Sequence, residues 1–381
     1  MDKILKSIIM IALVALLFGA GCSNGPEKND TLQIGAILPM SGPSTKLGIP
    51  KKNAMDIAVA EINMSKEILS KKIEIIYEDS KGTPKDGVAA FQKLLSTTVM
   101  KYYYIDLTPI VNSCAPIIDQ KEVLTFAGSA QPEVTELSPW LFRVFAGGEQ
   151  EIDMMNDYLL DNAIKTIYIL HTNETYGQTA SSYLKKIFES NGGKVLGSDE
   201  YALTTKDVKN ILIKAKNSNP DRIIVLGYGV VFPTILKQMN ELRIPNTQCV
   251  MNLGATNATV VALDSSYTND IVFVGPRFTY LMENDSMTKE MKNFVSSYKE
   301  KYNEVPDFRA AYAYDVIKIL SDVWKNVDPA NVEQVAMSIR KIQNYNGASG
   351  IISFKDNGDS MTDLVLAQYK NGRMSLLNIE E

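Results

Sequence analysis

Leu32-Gln-Ile-Gly-Ala-Ile-Leu38 is followed first by a segment carrying Ala54, Ile57, Ala58 and Ile62, and then by Lys72-Ile-Glu-Ile-Ile-Tyr77. The reading of this stretch decides the fold class. The flanking runs are short and rich in β-branched residues, as strands are. Between them, just past Pro50, the apolar positions recur at the spacing of one helical face over 52–63. A strand, an amphipathic helix and a second apolar strand make a parallel βαβ unit with both sheet faces covered. The same alternation continues outward. A helix is expected over 86–95, and strands over 102–105 and 123–126. After Arg143-Val-Phe145 it begins afresh, with helices over 151–160, 181–189, 208–216 and 231–242 alternating with strands over 166–170, 194–196, 222–226, 249–252 and 271–274. The last third reads as helices over 289–302, 309–326 and 332–342. Segments 350–354 and 364–369, on either side of the turn Asp356-Asn-Gly358, read as a hairpin pair. Two rounds of alternation predict an α/β protein of two doubly wound parallel-sheet lobes. In such sheets ligands sit at the carboxyl ends of the strands, so the expected pocket is the cleft between the lobes.

The N-terminus carries Lys3 and Lys6, then an apolar run over 8–18, then Gly19-Ala-Gly-Cys22. This order is that of a secretory signal over 1–21, and the run is shorter than the roughly 20 apolar residues of a membrane span. A cysteine directly after small residues fits a lipoprotein signal, with lipid attached to Cys22. The alternative is an ordinary signal with Cys22 incidental. Residues 22–30 then read as a polar tether unable to build a core. About 360 residues remain, the size of two domains. The formal charge is −5 with mixed signs, against the basic stripe that nucleic acid requires. Cys114 and Cys249 read as two buried free thiols, although a pair so far apart could form a disulfide.

Catalytic patterns are missing. His171 is the one histidine and reads as lying in a strand-to-helix loop. There is no Gly-x-Ser-x-Gly elbow and no phosphate loop, and Gly227-Tyr-Gly229 continues without the third glycine of a dinucleotide site. No metal-ligand spacing occurs. The adjacent Glu78 and Asp79 read as a solvated turn. No cofactor is expected, and the chain is not expected to be an enzyme.

Ile34-Gly-Ala-Ile-Leu-Pro-Met-Ser-Gly-Pro43, Ala58-Val-Ala-Glu-Ile-Asn63, Ile75-Ile-Tyr-Glu-Asp-Ser80, Ala115-Pro-Ile117, Phe142-Arg-Val144, Thr175-Tyr-Gly177, Ala311-Tyr-Ala-Tyr-Asp315 and the segment 347–354 follow one another in order. Together they resemble the type I periplasmic binding proteins, in particular the branched-chain amino acid binding family of ABC importers. The resemblance covers nearly the whole chain beyond the signal. It implies a first lobe of 31–146 plus 278–345, a second of 147–277 plus 346–381, and a hinge of three crossovers that closes on the ligand. It also implies a monomer that is extracytoplasmic, lipid-anchored to the membrane and partnered by ABC permease subunits, with no nucleic acid.

The resemblance carries a pocket with it. The family's carboxylate-binding serine falls on Thr108. The loop after the fourth strand is Gly128-Ser129-Ala130, with Ala130 at the usual threonine, Ser129 one place early, and backbone N–H groups able to hold an anion. The family's two pocket tyrosines fall on Tyr176 and Tyr228. Two positions depart from the pattern. Leu253 stands where amino-acid binders place an acid for the ligand ammonium, and Leu47 aligns with an aromatic of some members. A buried ammonium without a carboxylate is costly. The expected ligand is therefore a carboxylate with an apolar or aromatic tail, not a standard α-amino acid. A branched-chain amino acid binder, a ligand sensor for a signalling partner, and a hydrolase using Ser129 or Thr108 with His171 are the alternatives.

Overall fold

The computed structural model describes residues 31–65, 71–97 and 100–377. The expected signal, the tether and Cys22 lie outside the described residues. The chain opens with β1 (Thr31–Leu38), α1 (Thr45–Ser65), β2 (Lys72–Asp79), α2 (Pro84–Thr97), β3 (Tyr102–Asp106), α3 (Thr108–Lys121), β4 (Leu124–Gly128) and β5 (Leu141–Phe142). These strands form one parallel sheet in the order β2-β1-β3-β4-β5. The chain then crosses to α4 (Gly148–Asp161), β6 (Thr166–Thr172), α5 (Thr175–Ser190), β7 (Lys194–Tyr201), α6 (Lys209–Asn217), β8 (Arg222–Leu226), α7 (Phe232–Glu241), β9 (Cys249–Met251) and β10 (Val272–Pro276). Their order, β7-β6-β8-β9-β10, repeats the winding of the first sheet.

After α8 (Arg277–Glu283) the chain returns for α9 (Lys289–Tyr302), α10 (Phe308–Trp324), α11 (Val332–Arg340) and the short strands β11 (Tyr345–Gly347), β12 (Gly350–Phe354) and β13 (Ser360–Met361). It crosses a third time into β14 (Leu364–Lys370) and β15 (Arg373–Leu376), which close the edge of the second sheet, β14 antiparallel to β10. The protein is thus two doubly wound lobes joined by three crossovers. Helix α10 is buried on nearly every side and lies against α1, as an all-round apolar helix must. Its Ala310, Ala311 and Ala313 and the Ala54 and Ala58 of α1 are all buried.

The structure corrects four local expectations. Helix α1 starts at Thr45, before Pro50. The proline removes only its own N–H, and Gly48 lies so close to the Pro39 carbonyl that no side chain fits there. A helix not expected as such, α3, runs through Pro116 from a start with Pro109 in its first turn, where a missing N–H costs nothing. Segments 350–354 and 364–369 do not pair with each other. β12 pairs with β11 and β13, and β14 with β10 and β15, because the intervening Asp359 is held at the hinge by Arg143. Finally, His171 is a buried residue of β6, its Nδ1 3.0 Å from the Thr172 carbonyl, and not a loop residue.

Asp315 anchors the β11–β12 turn to α10, accepting from the N–H groups of Ala348 (2.7 Å) and Ser349 (2.8 Å). Asp79 gathers the β1–α1 loop, accepting from the N–H groups of Met40 and Ser41 and from the Ser41 hydroxyl. Cys114 and Cys249 are buried free thiols, and burial pushes Cys114 up to about 12.

Candidate functional site

Most segments that face the interlobe cavity are strand ends or first turns of helices, where parallel sheets present backbone groups and side chains to a ligand. From the first lobe come Leu47 and Lys51 of α1, Asp106-Leu107-Thr108 at the end of β3, Gly128 and Ala130 after β4, Phe145 of the first crossover, and Arg309 in the first turn of α10. From the second come Tyr176, Gly227, Tyr228, Asn252 and Leu253. The cavity measures about 40 Å³, far below the roughly 300–1,000 Å³ of sites that enclose a small organic ligand.

Seven of the eight residues assigned to the ligand from sequence line this cavity: Leu47, Thr108, Gly128, Ala130, Tyr176, Tyr228 and Leu253. Ser129 is buried behind it, its hydroxyl 2.8 Å from that of Thr108. The Thr108 hydroxyl also meets the Tyr228 hydroxyl at the cleft. The preceding Leu107 holds φ at 71°, a region a leucine rarely occupies. That strained turn lets both Asp106 and Thr108 reach the cavity. His171 is not among the lining residues.

Sequence reasoning missed the charged members. Lys51 donates to Asp106 Oδ1 at 2.5 Å, with side chains 3 % and 0 % exposed. The Lys51 ammonium also sits 5.5 Å from the Phe145 ring centre. Burial pushes the Asp106 carboxyl above its usual range, against the pull of Lys51. Gly128 is required here, because a side chain would collide with Asp106 and the Tyr104 hydroxyl. Arg309 donates to Asp307 at 3.0 Å and stacks over Phe308. One signal was available: Lys51 precedes Ala54 and Ala58 by three and seven residues, on the buried face of α1.

The second-lobe wall rests on Glu151. It accepts from the Tyr176 hydroxyl (2.8 Å) and from the Leu253 N–H (2.6 Å), while Asn252 donates to the Tyr176 oxygen (2.6 Å). Tyr176 and Tyr228 pack ring to ring at 5.5 Å. Burial raises Glu151 to about 7, the Leu253 and Tyr176 hydrogen bonds and the Arg143 charge opposing it. An acid that binds its proton more tightly when folded stabilises the fold fully below its unfolded value, near 4.5, and loses that contribution as pH rises through about 7. The expected loss is about 3 kcal/mol. Asp315, raised to about 6 by burial, slopes the same way. Denaturation from pH 5 to 8 should show stability falling with pH, and Glu151→Gln should remove the larger part of that slope. An unchanged slope would contradict the assignment.

The sequence pattern of the periplasmic binding proteins matches residues 31–373. This chain belongs to that family. A leucine-, isoleucine-, valine-, threonine- and alanine-binding protein of Pseudomonas aeruginosa is 21 % identical over 350 residues, covering 91 % of this chain and 92 % of the relative. Among solved periplasmic binding proteins, a leucine-binding protein from Thermotoga maritima superposes with a TM-score of 0.78 at 24 % identity, covering 91 % and 98 % of the two chains. A solute-binding protein of an ABC transporter from Rhodopseudomonas palustris, solved with 3,4-dihydroxybenzoic acid, gives 0.73 at 20 % identity, covering 91 % and 95 %. At these identities the structural likeness speaks to the fold. A periplasmic binding protein is extracytoplasmic and binds a solute. No helix among the described residues is long and apolar enough to cross a membrane.

Proposed function

We propose that this chain is the solute receptor of an ABC importer, a monomer held at the membrane by lipid on Cys22. It takes a carboxylate with an apolar or aromatic tail, not a standard α-amino acid, and carries out no chemistry on it. The observation that carries the reading is the charge of the cleft. Lys51 is paired with Asp106, the one acid of the lining, and Arg309 with Asp307, so no free acid faces the cleft. A carboxylate finds hydrogen-bond donors there, whereas the ammonium of an amino acid finds no unpaired acid. Leu253, at the position of the ammonium's acid, adds apolar surface instead. Thr108 and the backbone after Gly128 are assigned to the carboxylate, and Leu47, Tyr176, Tyr228 and Leu253 to the tail.

The lobes are assigned as 31–146 with the segment from α9 through β13, and 147–283 with 362–377. The segment 345–361 goes with the first lobe because Phe354 packs on Phe142 (6.3 Å) and Asp315 holds Ala348 and Ser349. The branched-chain amino acids bound by named relatives support the competing ligand class; the dihydroxybenzoate neighbour supports the one proposed.

A thermal-shift screen of the chain from residue 23 onward tests this. A ligand at about a hundred times its dissociation constant adds about 2.7 kcal/mol. Aliphatic or aromatic monocarboxylates are expected to stabilise the protein and leucine or valine not to. Stabilisation by leucine or valine alone would overturn the ligand class.

A further inference from the structure

Asp106 is fully buried in the cavity wall with only half of its carboxylate engaged. Oδ1 accepts from Lys51, while Oδ2 has no hydrogen-bond partner among the described residues. The neighbouring Leu107 N–H donates to the Gly128 carbonyl at 3.1 Å and gives the Asp106 carboxyl only a secondary interaction. A buried carboxylate oxygen without a donor is costly, and a donor offered by a ligand is rewarded accordingly.

We infer that the ligand carries a hydroxyl group in addition to its carboxylate, and that this hydroxyl donates to Asp106 Oδ2, making the Lys51–Asp106 pair the element that selects hydroxy acids over plain acids. The inference rests on the carboxylate reading above and adds a second functional group to it. Charge decides between the possible donors. Lys51 already neutralises Asp106, and Asp307 is paired with Arg309. A hydroxyl then supplies the missing hydrogen bond without adding charge, whereas an ammonium would bring a second cation against the Lys51 ammonium on the same carboxylate. A second carboxylate would bring no donor and would face Asp106 with like charge. Lys51, stacked against Phe145 and held at 2.5 Å, keeps the Asp106 side chain in place. A site built to hydrogen-bond a hydroxyl rejects the analogue lacking it far more strongly than an apolar pocket rejects a missing methylene.

The experiment is calorimetric titration of the chain from residue 23 onward with matched pairs: 4-methylpentanoate against 2-hydroxy-4-methylpentanoate, 3-phenylpropanoate against its 2-hydroxy derivative, and benzoate against 3- and 4-hydroxybenzoate. In at least one pair the hydroxy acid is expected to bind about tenfold tighter or better. The double variant Lys51→Met/Asp106→Leu is expected to bring that pair to within about threefold. A crystal structure with the preferred hydroxy acid should place its hydroxyl within about 3.2 Å of Asp106 Oδ2, a check that does not depend on the variant folding. Plain acids binding as tightly as their hydroxy partners would overturn this inference and leave the carboxylate reading standing. So would a preference that survives in the double variant, or a hydroxyl placed elsewhere. If no acid of any pair binds, the carboxylate reading falls with it.

Discussion

Replacing Arg143 by Met is expected to cost about 3–5 kcal/mol of stability. Its guanidinium is 1 % exposed and grips Asp359 with two parallel hydrogen bonds, Nε to Oδ1 and Nη2 to Oδ2, both 2.6 Å. The same group donates to the Gln131 carbonyl at 2.6 Å and to Glu149 at 3.1 Å. Arg143 lies just after β5 in the first crossover, Glu149 opens α4, and Asp359 stands just before β13, ahead of the third crossover. One side chain therefore ties the first crossover and the segment ahead of the third to the loop that contributes Ala130 to the cleft. Without it the 4 % exposed Asp359 carboxylate keeps only the Ser360 N–H (2.8 Å) and a Lys355 ammonium 3.8 Å away, which is the situation that makes broken buried ion pairs expensive. Lysine at this position keeps the charge but loses the two-pronged geometry, so an intermediate loss is expected. Urea denaturation of the three proteins measures this. A loss below about 1 kcal/mol for Arg143→Met would show that the crossovers hold without the clamp.

A loss of similar size is expected from Lys51→Met alone, and a much smaller one from Lys51→Met combined with Asp106→Leu. The single change leaves Asp106 buried and uncompensated, at an expected cost of about 3–5 kcal/mol near pH 7. The double change removes both charges and fills the space with apolar groups of similar size, so it is expected within about 1.5 kcal/mol of the parent, or above it. The penalty of the single variant should also shrink in acid. Burial already pushes the Asp106 carboxyl up, and without the ammonium it takes a proton more readily still. A double-mutant cycle in urea at pH 7 and pH 5 reads both effects. A double variant as unstable as the sum of its single changes would show that the pair is not coupled.

The features legible in the sequence were those written in local pattern. The apolar runs and helical spacings placed almost every strand and helix, and two rounds of them meant two doubly wound lobes. Thr108, Gly128, Ala130, Tyr176 and Tyr228 were legible as candidates because the family resemblance places its pocket on them. The failures were also local. Pro50 read as a helix boundary, yet it removes a single N–H and the surrounding packing tolerates it. The turn at Asp356-Asn-Gly358 read as a hairpin because turn chemistry says nothing about what lies between lobes.

By itself, then, the sequence determined the fold class, the cleft as the site and the strand ends that line it, since these depend on residues near one another in the chain. Only the tertiary structure decided the electrostatics. Lys51 meets Asp106 across 55 positions and Arg143 meets Asp359 across 216. A charge on a helix face reads as a solvated residue until folding removes the water around it. Once buried, its partner determines whether it is a structural tie, as at Arg143, or an acceptor facing the ligand, as at Asp106, because the energy of a charge depends on its distance to other charges and on the surrounding dielectric.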